Sequence, residues 1–122
     1  MLFQDWITMR VTGSGSQLPV PFKQTEASYF DVGDHEDVTL YVEVTESSGS
    51  PSLRIDTSPT AEDASFVALA TFTVTTLGLQ VLPLRSAYLP VPIARFLRWT
   101  IPSGSTNDIT FRISVATYRV GA

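Results

Sequence analysis

The stretch DVTLYVEVTE, residues 37 to 46, restricts the fold more than any other part of the chain. Val38, Leu40, Val42 and Val44 alternate with Thr39, Tyr41, Glu43 and Thr45, a period of two that puts one set on each face of a pleated strand. A helix would scatter the aliphatic set around its circumference, so the segment reads as a strand with one buried face. SSGSP, residues 47 to 51, then combines Gly, Pro and serines that bend the backbone, and SLRIDT resumes the alternation at Leu53 and Ile55. Residues 38 to 58 therefore read as a hairpin.

Similar segments recur at WITMRVT (6–12), EASYFDV (26–32), SFVALATFTV (65–74), LGLQVLPL (77–84), RFLRWTI (95–101) and DITFRISVATYRV (108–120). The connections between them, such as TGSGSQLPVP, VGDHED and PSGSTND, are rich in Gly, Pro, Ser, Asn and Asp. Short strands with turns between them and no helical period predict an all-β fold: a single antiparallel β-sandwich or jelly roll of about eight strands. AEDASFVALA, residues 61 to 70, leaves room for one helical turn before its strand begins. The expected core is Val38, Leu40, Val42, Val44, Leu53, Ile55, Phe72, Leu97, Trp99, Ile101, Ile109, Phe111, Ile113 and Val115.

At 122 residues the chain is the size of one domain, and 1–122 is read as such. Segment 13–25, GSGSQLPVPFKQT, lacks core alternation and reads as an extended arm, with Leu18, Val20 and Phe22 as candidate partner-binding residues. The opening MLFQDWITMR has no basic start followed by a long apolar run, and no run approaches the ~20 apolar residues of a membrane span. Neither a signal peptide nor a membrane partner is expected, and synthesis in a cytoplasm is. With no cysteine, disulfides, thiolate metal sites and cysteine nucleophiles are excluded.

Charge is unevenly distributed. Residues 1 to 63 hold eleven acids against Arg10, Lys23 and Arg54, a sum of −8, while residues 64 to 122 hold Asp108 against five arginines, a sum of +4. Either these charges interleave on folding, or they form an acidic and a basic face that meet on neighbouring copies. Seven of the eight basic residues are Arg, the cation favoured at protein interfaces. A net charge of −4 with one lysine is a poor match for phosphate backbones, so no direct nucleic-acid partner is expected.

No catalytic residues are expected. His35, the single histidine, lies among Asp31, Asp34, Glu36 and Asp37, where the acids would raise its pKa. The acids there could hold calcium, yet their spacing matches no calcium-binding loop, and the segment reads as a solvated turn. TGSGS, residues 12 to 16, is followed by prolines that forbid the helix a phosphate-cradling loop needs. Ser58 and Ser65 have no adjacent base, and Glu62 and Asp63 are neighbours that point apart in a loop. No metal, cofactor or enzyme activity is expected. Tyr29, Tyr41, Tyr88, Tyr118 and Trp6 are candidate sugar-stacking residues, whereas Trp99 alternates with Leu97 and Ile101 and belongs to the core.

The order LYVEV, SGSPSLRIDTSP, SFVALATF, RFLRWTI, ITFRISV, across residues 37 to 116, resembles small β-rich structural proteins of tailed bacteriophages and prophages. TSP and RFLRW are the most specific parts. The chain departs from that pattern where SPTAED stands for SPDG and Phe66 for Trp. The resemblance implies a capsid decoration protein or another head-associated β-sandwich, made in the host cytoplasm and localised to the virion. Its implied partners are the major capsid or other virion proteins, and a homo-oligomer is expected. The same pattern is similar to discoidin-like carbohydrate-binding modules, which would bind a host-surface glycan instead.

Overall fold

The computed structural model describes residues 2–9, 22–25, 29–33, 37–47, 52–73, 77–85, 89, 91–102 and 108–118. Their strands are β1 (Leu2–Met9), β2 (Phe22–Lys23), β3 (Phe30–Asp31), β4 (Asp37–Ser47), β5 (Ser52–Ser58), β6 (Val67–Thr73), β7 (Gly78–Arg85), β8 (Phe96–Ile101) and β9 (Ile109–Tyr118). Sheet A runs β1-β9-β4-β7, and sheet B runs β2-β8-β5-β6 with β3 also on β8. Every ladder is antiparallel. The all-β sandwich expected from the alternation is the fold. β2 and β3 meet opposite ends of the same side of β8, so together they form one broken edge strand and the expected count of about eight holds.

The core is where the period of two places it. Val38, Leu40, Val42 and Val44 of β4 and Ile109, Phe111, Ile113 and Val115 of β9 face Leu53, Ile55, Leu97, Trp99 and Ile101 of sheet B, and all are buried. Phe72 is only partly buried on the margin of this cluster, while Phe3, Met9, Phe30, Val32, Leu69 and Leu84 join it. Trp99 is fully buried edge-on to Phe111, with ring centroids 5.1 Å apart at 90°. Its indole N–H reaches across to Gln4 Oε1 at 3.0 Å, so the polar tip is satisfied within the interior.

Residues 38 to 58 do not form the expected hairpin. β4 pairs with β7 and β9, β5 pairs with β6 and β8, and the chain passes from one sheet to the other between β4 and β5. Alternation in β4 and β5 specifies an inward face for each, and two inward faces can oppose across a core as readily as lie side by side. The single helical turn anticipated in 61–70 is a 3₁₀ turn at Asp63–Ser65.

One flank of the sandwich is closed by Gln24, which is buried. Its backbone N–H donates to Trp99 O at 3.1 Å and its Oε1 accepts from Trp99 N, while Nε2 donates to Phe3 O at 3.0 Å, joining the two sheets. Gln24 follows β2, so residues 22–24 of the expected arm run along β8; residues 13–21, including Leu18 and Val20, lie outside the described residues.

Trp99→Ala is expected to lower the unfolding free energy by ~3–5 kcal/mol, because it leaves a cavity and strands Gln4 Oε1. Urea unfolding measures this, and a loss below about 1 kcal/mol would show that the indole is not the centre of the core.

Candidate functional site

The outward faces of the two sheets differ in chemistry, and that difference defines the site. On β5 and β8, the central strands of sheet B, Asp56 lies directly opposite Arg98, and Arg54 opposite Thr100. These side chains point away from the core, yet Asp56, Arg98 and Thr100 are buried. Asp56 Oδ1 accepts from Arg54 Nε at 2.7 Å. Oδ2 accepts from Arg98 Nε at 3.0 Å, Thr100 Oγ1 at 2.9 Å and Arg54 Nη2 at 3.3 Å. Each oxygen of the carboxylate therefore has a charged donor, the condition for keeping an ion out of water.

Residues 59–66 fold over this pair. Ser58 Oγ donates to Thr60 O at 2.6 Å and accepts from Thr60 N at 3.1 Å, which tightens the chain as it leaves β5. The 3₁₀ turn then brings Asp63 to Arg98 Nη1 and to Lys23 Nζ, the latter at 3.0 Å. Phe66 lies over the Arg98 guanidinium with 4.3 Å between Cζ and the ring centroid. Tyr29 completes the cover, edge-on to Phe66 at 4.8 Å and accepting from Arg98 Nη1 through its hydroxyl. Burial works against the charge on Arg98, and the hydrogen bonds to Tyr29, Asp56 and Asp63 outweigh it, so its pKa lies above the ordinary value.

The TSP and RFLRW elements meet here. Thr57 lies opposite Leu97, and its Oγ1 donates to Phe96 O at 3.1 Å and accepts from Ala94 N at 2.8 Å. Among the described residues no buried side-chain nitrogen or oxygen of this network lacks a hydrogen-bond partner, which is what a structural unit requires.

The outward face of sheet A is open. Across it run two rows: Val81, Tyr41, Ser114 and Leu2, and Leu79, Glu43 and Arg112, with Trp6 beside Arg112. Glu43 Oε1 accepts from Arg112 Nη2 at 2.6 Å, and the Arg112 guanidinium lies 4.8 Å from the Trp6 ring centroid. Of the six large apolar side chains exposed among the described residues, Leu2, Trp6, Leu77, Leu79 and Val81 lie on or next to the two edge strands of sheet A. Val67 alone lies in sheet B. A face with apolar margins and a neutralised ion pair at its centre suits contact with another surface.

Of the residues singled out from sequence, Tyr41 is half-buried on this face and Trp6 is exposed beside it. Phe22 contributes backbone to β2 opposite Ile101. Leu18, Val20, His35 and Tyr88 lie outside the described residues, as does the side chain of Tyr118. On either side of residues 34–36, Asp31 pairs with Arg95 at 3.2 Å and Asp37 with Arg85 at 3.3 Å. Asp31 Oδ1 also accepts from the N–H of Gly33, whose φ of +63° needs glycine. Two features escaped the sequence reading. Asp56 and Arg98 are opposite charges on the two central strands of sheet B, and LGLQVLPL carries apolar residues at both parities, which a strand with one solvated face does not need.

The two kinds of ion pair are expected to respond differently. Asp56→Ala strands Arg98 and Arg54 and is expected to cost about 3–5 kcal/mol in urea unfolding, well above the effect of Asp63→Ala at the solvent edge. Lys23 and then Arg98 hold the Asp63 carboxyl below its usual range, and Arg95 and the Gly33 N–H do the same for Asp31. A depressed folded pKa contributes stability that is fully present above the unfolded value of about 4 and is lost as pH falls through the folded value. The unfolding midpoint is therefore expected to drop below about pH 4, and Asp63→Asn to flatten part of that drop. An unchanged acid limb in the variant would refute the assignment.

No family model matches the chain, and no curated protein does. Among solved structures it is similar to YomS, a protein derived from the SPBc2 prophage, at 12% identity over 92% of this chain and 94% of that one, with a TM-score of 0.43. Likeness at that level assigns no role.

Proposed function

We propose that the protein is a virion structural component of a tailed phage or prophage, a capsid decoration or other head-associated protein that works by protein–protein contact. The observation that carries this reading is the outward face of sheet A, where most of the exposed large apolar side chains among the described residues gather, while the other face of the sandwich carries the Asp56–Arg98 network. The motif resemblance over residues 37 to 116 points the same way. The reading is non-enzymatic, since the residues that could have suggested chemistry have structural tasks: Ser58 closes a turn on Thr60, and Asp63 holds Lys23 and Arg98.

The charge asymmetry along the chain does not supply the contact. Asp31–Arg95, Asp37–Arg85, Glu43–Arg112, Asp56–Arg98 and Asp63–Arg98 each join an acid from the first half to an arginine from the second. Among the described residues the charges interleave, and docking through the sheet A face is apolar in character.

Purified protein is expected to add to particles that lack it, with binding that changes little between about 50 and 500 mM salt because the ion pairs are already made within the chain. Trp6→Ala is expected to weaken that binding by about 2 kcal/mol, roughly thirty-fold, without altering the urea midpoint by more than ~0.5 kcal/mol equivalent. Absence of particle binding, together with glycan-array binding that is lost in Trp6→Ala or Tyr41→Ala, would replace this reading with the carbohydrate-binding one.

A further inference from the structure

We propose that the open edge of β7 pairs antiparallel with β7 of a second copy of this chain, about a two-fold axis at Gln80. The proposal concerns the isolated protein and stands whether or not the virion reading does.

The sandwich has edges at β1, at β2 with β3, at β6 and at β7. Natural sheets protect such edges with charge, proline, bulges or brevity. β1 carries Asp5 and register shifts between Leu2 and Gln4 and between Gln4 and Ile7. β2 and β3 have two residues each and include Lys23 and Asp31. β6 is uncharged, but it meets β5 through a register shift and sets Thr71 and Thr73 opposite the outward Arg54 and Ser52. Over Gly78–Leu82 β7 has none of these protections, its proline, Pro83, standing at the end of that stretch: it is uncharged, and it pairs with β4 over its whole length without a register shift. Among the described residues nothing pairs with its far side.

Pro83 fixes which groups that far side presents. A proline within a regular ladder turns its nitrogen away from the neighbouring strand, so Pro83, opposite Thr39, faces the open edge. By the two-residue alternation, Leu79 and Val81 direct their N–H and C=O groups to that edge as well, and their side chains stand on the outward face, 59% and 52% exposed. The occupant of such an edge is an extended strand, and β7 itself is complementary to it. With Gln80 opposite Gln80, Leu79 of each copy meets Val81 of the other in a hydrogen-bonded pair. About four main-chain hydrogen bonds form, and the outward faces of the two sheets join into one apolar stripe.

The ladder stops at both ends for reasons on the strand. Pro83 has no N–H to donate, and Gly78, at φ +102°, turns the chain at the other end. No like charges meet, because the first charged residue along β7 is Arg85, which is bound to Asp37 of its own chain. A contact this short lies at the small end of interface areas, below ~1,200 Å², so the dimer forms as a function of concentration and is not obligate.

Sedimentation equilibrium from about 1 µM to 1 mM is expected to show a monomer–dimer transition. Val81→Pro removes an edge N–H and leaves the β4 side intact, as Pro83 already does, so the expected result is a monomer with an unchanged circular dichroism spectrum. Should that variant fail to fold, Leu79→Lys with Val81→Lys places like charges across the axis and is expected to abolish the dimer. Since the chain has no cysteine, Gln80→Cys gives a clean cross-link. It is expected to form an intermolecular disulfide on mild oxidation, whereas Asp5→Cys on the opposite flank does not. A protein that stays monomeric at 1 mM, a dimer that survives the lysine pair, or cross-linking equal at both positions would overturn the proposal. A monomer that still binds particles would leave the virion reading standing.

Discussion

Asp56 is the charge on which the surface of sheet B depends. Its carboxylate holds Arg54 and Arg98, and Arg98 in turn holds Asp63, Tyr29 and, through its flat face, Phe66. A buried ion pair contributes little stability relative to well-packed apolar residues, but it is strict about geometry. Slipping β5 against β8 by one residue would send Asp56 into the core opposite Trp99, so the pair enforces register as well as cover. The loop from 59 to 66 is held to the sheet by this chemistry more than by apolar burial, since Glu62, Asp63 and Ala64 are exposed.

With sheet B closed in this way, the asymmetry between the two faces follows. The arginines of the second half of the chain meet the acids of the first because the topology places β8 and β9 in the middle of their sheets, beside β5 and β4. A charge imbalance along a sequence therefore says nothing about a charge imbalance in space when strands from the two halves alternate in each sheet. Among the described residues, five of the six exposed large apolar side chains lie on or next to the edge strands of sheet A.

Much of the fold was legible because alternation reports burial directly. The aliphatic residues of β4 and β9 and the Leu97, Trp99, Ile101 series were assigned to the interior and lie there. Pairing was not legible. SSGSP reads as a hairpin turn, yet the strands on either side of it lie in different sheets, because short-range turn chemistry does not state which ladder the next strand enters. The Arg98 network was missed for a related reason: a charged residue at an outward position looks solvated until the loop that covers it is known. Gln24 was missed too, since a segment without alternation gives no sign that one of its side chains will bridge two sheets.

The position of β1 has a consequence for the order in which the sheets can close. Its partner is β9, with Leu2 opposite Ser114, so β9 must enter between β1 and β4, and the ladder joins residues a hundred or more positions apart. Contacts of such separation form late, because the entropy of closing so long a loop is lost before they are made. Until β9 is seated, Leu2, Phe3 and Trp6 have no ladder to join, while β5 and β6 can already pair across a short connection. The arrival of β9 therefore completes sheet A on both of its sides at once.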